Sequence, residues 1–191
     1  MRGPLYAVLA LWMLWLASWL LARAWSKRTV GQPALGSQLA YSAIVDIGAV
    51  LLVTPVLRAL GPPLWAAPPM LGWALVGVAI AGFGICWWAR ITLAGNWSWH
   101  VTLKEAHTIV EAGPYRFVRH PIYTGVLLAG FATAALEGKA VSLLGLAMMV
   151  AGFWIKARLE ERFLRSELGA ASYDGYAART GMLLPKRLPR V

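Results

Sequence analysis

Arg119-His120-Pro121-Ile122-Tyr123-Thr124-Gly125 sets a guanidinium, an imidazole and a phenol at the threshold of an apolar segment. Tyr115 and Arg116 precede it, and Glu160 and Glu161 follow the next apolar segment. Charge this dense at a membrane edge is costly unless something there needs it. Pro121 suits the first turn of a helix, where its missing N–H costs nothing. His120 then falls at or beside the N-cap, with Tyr123 on neighbouring surface three residues on. Gly125 lets a backbone or a flat ligand approach closely. The N–H groups of such a helix start favour an anion, and Arg116 and Arg119 reinforce the preference. A ligand bearing a carboxylate fits there. The plainer reading is that arginines hold lipid headgroups and tyrosines form an interfacial belt. That reading weighs evenly for Tyr115 and Arg116 and less for Arg119, His120 and Tyr123 together.

Glu160 and Glu161 point about 100° apart on a helix. One can face the bundle and hold an amine or a ribose. The other can pair with a neighbouring arginine, as Glu161 and Arg165 would at i,i+4.

The elements that must position these groups are membrane helices. Of 191 residues, 59% are hydrophobic and 14% charged, well under the roughly 25% charge of soluble domains. Apolar runs cover 5–22, 39–60 and 70–88, each near the ~20 residues a bilayer crossing needs. A mixed stretch, 89–121, leads to two shorter runs, 122–136 and 140–155, split by Glu137-Gly138-Lys139. These predict a tight helical hairpin, with re-entrant packing as the alternative. The segment 156–191 is polar and amphipathic, and its helix is expected to run on to Leu168 with Gly169 as C-cap. The first run follows Arg2 and precedes Ala22-Arg23-Ala24, like a signal peptide, but its length and tryptophans favour a membrane helix. The expected fold is all-α, an integral membrane bundle of about five crossings with a C-terminal helical segment. It forms one domain, 1–191, with three helices in 1–88 and a cofactor pocket built by 89–191.

Net charge is +10, from 18 Lys and Arg against 8 Asp and Glu. The basic residues flank apolar runs, which argues for positive-inside bias and against nucleic-acid binding. Arg23, Lys27 and Arg28 follow the first run, Arg90, Lys104, Arg116 and Arg119 the third, and Lys156, Arg158, Arg162 and Arg165 the fifth. That alternation puts the N-terminus outside and both polar clusters on the cytoplasmic face. Glycines 72, 77, 82 and 84 in the third run suggest close helix packing.

Gly82-Phe83-Gly84 follows no strand and is no dinucleotide fingerprint, and there is no Walker loop. His100, His107 and Cys86 lack zinc spacing, so no metal site is expected. Trp97 and Trp99 read as interfacial, and Asn96 as a loop hydrogen-bonder. Asp46 inside the second run divides evenly between functional and structural readings. Leu188-Pro189-Arg190-Val191 is not a prenylation box.

Arg119 through Gly125, followed after an apolar hairpin by Glu160-Glu161, resembles the signature of the isoprenylcysteine carboxyl methyltransferase family, relatives of the phospholipid methyltransferases. Leu168-Gly169, Tyr173, Tyr176, Arg179 and Pro185 resemble its closing pattern. Gly95-Asn96-Trp97-Ser98 and Leu103-Lys104-Glu105-Ala106-His107 resemble its bacterial members. The likeness covers about 95–185, close to half the chain.

The resemblance implies S-adenosylmethionine as methyl donor. Carried onto this sequence, His120, Pro121, Tyr123 and Gly125 line one side of its pocket and Glu161 the other, with Tyr173 and Tyr176 closing it. Arg119 and Glu160 are implied to act in catalysis. A carboxylate acceptor is already ionised and needs no general base, and Arg119 would orient it by a charge-assisted bond. An amine or phenol would need His120 or a glutamate to take its proton. The implied activity is methylation of an isoprenylcysteine-like or other lipophilic carboxylate, in a bacterial inner membrane with the site facing the cytoplasm. The acceptor would arrive sideways from the lipid. A phospholipid amine N-methyltransferase, a membrane reductase and a non-enzymatic scaffold remain as alternatives.

Overall fold

A computed structural model describes residues 3–54, 61–106 and 108–186. Arg2, His107, the end of the second apolar run at 55–60 and the Leu188–Val191 segment weighed above lie outside the described residues.

Helix α1 (Gly3–Leu21) tightens into a 3-10 turn at Ala22–Trp25. A short strand β1 (Thr29–Gly31) leads to α2 (Leu35–Val53). Pro69 then opens α3 (Pro69–Leu93), at the N-terminal position its ring tolerates best. Strand β2 (Leu103–Lys104) pairs antiparallel with β1. A 3-10 turn at Gly113–Arg116 precedes α4 (Pro121–Glu137), α5 (Ala140–Leu168) and α6 (Ala170–Arg179). The all-α membrane bundle is as expected, apart from that two-stranded clip in the connector.

Four helices, α1, α2, α3 and α5, are long and apolar enough to cross a membrane. Helix α4 has 17 residues, about 25 Å of rise against a ~30 Å hydrocarbon core. It packs antiparallel on α3, where small residues bring backbones together. A Cβ on Gly82 would lie 2.5 Å from the Gly125 carbonyl oxygen. Helices α2 and α5 meet the same way, with Gly48 against Gly145 and Val45 against Gly152. Helix α1 packs on α3 through Trp12, Trp15 and Phe83, and the Trp12 indole donates to the Thr133 hydroxyl at 3.0 Å.

The hairpin between α4 and α5 turns at Gly138, whose left-handed φ of 61° a side chain would strain. Helix α5 runs unbroken to Leu168 and Gly169 ends it with φ 91°, so Glu160 and Glu161 ride on the rod that the apolar run begins.

Arg90 departs from its expected place among flanking charges. It is fully buried near the end of α3. Its guanidinium donates to the carbonyls of Ala22 and Ala94, each at 2.6 Å, and lies 4.4 Å from the Trp97 ring centroid. It ties the ends of α1 and α3 together where both helices leave their last carbonyls unpaired.

Candidate active site

His120 caps α4 and Pro121 starts its first turn. The imidazole is buried and stacks on the Tyr123 ring with centroids 5.1 Å apart and planes 3° from parallel. Tyr123 stacks in turn on Phe153 of α5 at 4.9 Å. The i,i+3 spacing of His120 and Tyr123 therefore builds a continuous aromatic wall from the cap into the bundle.

The two glutamates divide their work. The Tyr123 hydroxyl donates to Glu160 Oε2 at 2.6 Å. Glu161 Oε1 accepts from Arg119 Nε at 2.6 Å and lies 3.2 Å from His120 Nε2. Glu160 lines the large cavity beside this wall. Glu161 is not among the lining residues; it holds Arg119 and His120.

Arg119 also differs from expectation. Its Nη1 donates to the carbonyls of Thr180 and Ala177, at 2.6 and 3.2 Å. Three of its five N–H donors thus hold Glu161 and the C-terminal segment, leaving Nη2 as its reach toward the cavity it borders. Around it the backbone closes a clasp. Val118 bridges Gly181, Arg119 N–H donates to the Gly181 carbonyl, and His120 N–H to that of Met182. Thr124 adds a bond to the Leu183 carbonyl at 2.7 Å.

Helix α6 brings Tyr173 and Tyr176 to the cavity, with rings edge-to-face at 6.2 Å. The Tyr176 hydroxyl donates to the Tyr115 carbonyl at 2.9 Å. Burial, with Glu161 and Glu160 nearby, pushes the Tyr173 phenol well above its ordinary range, and burial does the same for Tyr176 and Tyr115. All three stay uncharged at neutral pH. Arg165 grips Asp174 with two bonds of 2.8 Å and sets the turn from α5 to α6.

Pro121 and Gly125 do not face the cavity. Pro121 is buried. A Cβ on Gly125 would sit 2.4 Å from the Gly82 carbonyl oxygen and 2.7 Å from Cys86 Sγ, so its bareness serves the α3–α4 contact and not a ligand. Trp97, expected at the interface, is buried and lines the cavity. Asp46 and Asn96 line it as well. Lys156 does too, although in the sequence it reads as one of the flanking positive charges. Its spacing from Glu160, one helical turn, was the available signal. The contribution of α1 and α2 through Trp15, Trp19 and Val45 carried none.

Residues 75–166 match the isoprenylcysteine carboxyl methyltransferase (ICMT) family. The ICMT match runs from α3 through Glu160-Glu161 and stops before Tyr173 and Tyr176. The chain is 31% identical over 126 residues to the cobalt-zinc-cadmium resistance protein CzcN of Cupriavidus metallidurans, covering 64% of this chain and 52% of that one. It is 36% identical over 90 residues to the methanethiol S-methyltransferase of a Pseudomonas species, 47% of this chain and 34% of that one. With methanethiol S-methyltransferase 2 of Bradyrhizobium diazoefficiens it shares 30% identity over 142 residues, 70% and 54% of the two chains. The chain thus spans about half the length of two of these relatives and a third of the other.

Proposed function

We propose that this protein is an S-adenosylmethionine-dependent membrane methyltransferase, acting on a lipophilic acceptor through a carboxylate like that of an isoprenylcysteine. The carrying observation is that Arg119, His120, Tyr123 and Glu160, from the entry and first turn of α4 and from α5, meet at one cavity with aromatic and apolar lining.

The residues at the mouth fit the donor. It carries an amine, a carboxylate and a sulfonium. Glu160 suits the amine or the ribose hydroxyls. Arg119 Nη2 and His120 suit the carboxylate. The face of Tyr173 suits the sulfonium, since aromatic rings attract cations. The donor supplies a methyl carbon to which an acceptor lone pair bonds while the carbon–sulfonium pair returns to sulfur. The protein's part is alignment and exclusion of water, which can supply much of the rate by themselves. The α6 tyrosines, uncharged and clasped over the mouth, shield the site from bulk water.

A second reading follows from the relatives named for methanethiol S-methylation: the acceptor atom is a thiol sulfur. Positive charge on the flanking loops favours a cytoplasmic mouth in either case.

Calorimetric titration of S-adenosylmethionine into the protein in nanodiscs tests the proposal. Wild type should bind, and Glu160→Gln should weaken binding at least tenfold. Binding of a nicotinamide dinucleotide in its place would overturn it. A labelled-methyl panel of prenylcysteine, alkanethiol and phosphatidylethanolamine then separates oxygen, sulfur and nitrogen acceptors.

A further inference from the structure

The inner part of the cavity differs in chemistry from its mouth. Trp15, Val45, Val126 and Phe153 give it an apolar lining, with Phe153 two turns before Glu160 on α5. Two cations, Arg119 and Lys156, line the cavity among the described residues, and Arg119 is already held by Glu161 and the C-terminal segment. Lys156 precedes Glu160 by four residues, so both project from the same face of α5. Its ammonium donates to the Trp99 carbonyl at 2.7 Å and lies 5.0 Å from the Tyr123 ring centroid and 5.5 Å from that of Tyr41. Asp46 and Glu160 border the same cavity, but neither is ion-paired with Lys156 among the described residues. One N–H of three is thus committed.

Two further polar atoms mark this chamber as built for a ligand. Trp15 Nε1 and Asn96 Oδ1 are buried with no hydrogen-bond partner among the described residues, and both side chains line the cavity. A buried donor and acceptor left without partners are expensive, so a bound molecule that reaches them recovers the loss.

We propose that Lys156 holds the anionic head of the methyl acceptor, with the acceptor's apolar tail among Trp15, Val45, Val126 and Phe153. This rests on the methyltransferase reading and deepens it: the acceptor class is a compound with an ionised oxygen or sulfur head on an apolar tail. A carboxylate arrives ionised. A thiol gives its proton to water at the open mouth, and the ammonium favours the resulting thiolate. In each case the acceptor anion meets a cationic donor, and both leave neutral, so no proton need move during transfer. The aromatic rings of Tyr41 and Tyr123 confine the ammonium without neutralising it.

The test uses the full chain in nanodiscs with decanoate, decanethiol and decyltrimethylammonium as probes, each titrated calorimetrically. Wild type should bind decanoate, decanethiol or both, and bind decyltrimethylammonium at least tenfold more weakly. Lys156→Met should lose at least tenfold in affinity for the anionic probe and raise its KM more than it lowers kcat. Lys156→Arg should restore binding to within threefold. Affinity for S-adenosylmethionine should stay within twofold in both variants. Equal binding of cationic and anionic probes by wild type would overturn the inference, and so would unchanged decanoate and decanethiol binding in Lys156→Met. Loss of S-adenosylmethionine binding in Lys156→Met would overturn it by assigning the lysine to the donor. If Lys156→Met does not fold, the head-group comparison on wild type still decides. Wild type that binds decanoate but never S-adenosylmethionine would overturn the methyltransferase reading and leave the anion chamber standing.

Discussion

The Tyr123 hydroxyl joins α4 to α5 at the mouth through Glu160, at 2.6 Å, while its ring carries the stack from His120 to Phe153. Removing that hydroxyl separates the two roles. A hydrogen bond to a charged group contributes about 1.5–3 kcal/mol. Tyr123→Phe should therefore lower the thermal midpoint, through the loss of about 1.5–3 kcal/mol, and weaken S-adenosylmethionine binding as Glu160 loses its set position. Unchanged donor binding would mean that Glu160 needs no orienting partner. The types of these residues were legible in the sequence because the His120–Tyr123 spacing and the adjacent glutamates fix which side chains share a surface. Their division of labour was not. Whether Glu160 or Glu161 turns inward depends on the rotation of α5, which the Gly48–Gly145 contact with α2 sets. Lys156 was read among flanking charges for the same reason, since a lysine just past an apolar run looks identical whether it snorkels outward or turns in.

Helix boundaries show the same pattern at the next scale. The apolar runs predicted α1 and α3 closely, α2 starts before its run and ends at Val53, and Gly169 marked the end of α5. The β1–β2 clip left no trace in the sequence, because a pairing of three residues with two has no periodicity to detect. The glycines of α3 were legible as packing residues, but which of them pack was not. A Cβ on Gly77 would meet nothing within 4 Å, whereas on Gly125 it would press into the Gly82 carbonyl and Cys86. Gly125→Ala should cost roughly 1–3 kcal/mol through overpacking, read as a fall in the thermal midpoint in detergent. Gly77→Ala should hold or raise it, since alanine favours helix by about 1 kcal/mol over glycine. Equal midpoints for the two variants would show that α3 and α4 are not in this close register.

For the whole molecule, the open matter in the sequence was whether the short fourth helix crosses the membrane. Cys86 is the single cysteine of the chain and is buried, so an added thiol can be labelled against a silent background. Leu64 is exposed at one end of the bundle and Ala171 at the other. With α3, α4 and α5 all crossing, Leu64→Cys and Ala171→Cys lie on opposite sides. An impermeant maleimide should mark Ala171→Cys only in inverted vesicles and Leu64→Cys only in right-side-out ones. Labelling of both from one side would make α4 re-entrant. One last consequence comes from the clasp of 177–183 over Arg119, His120 and Thr124. Helices α1 to α5 precede that strap in the order of synthesis. A nascent chain can have completed all five yet still lack the floor on which its arginine rests, so a ribosome stalled before residue 177 would leave Arg119 and His120 without their seat.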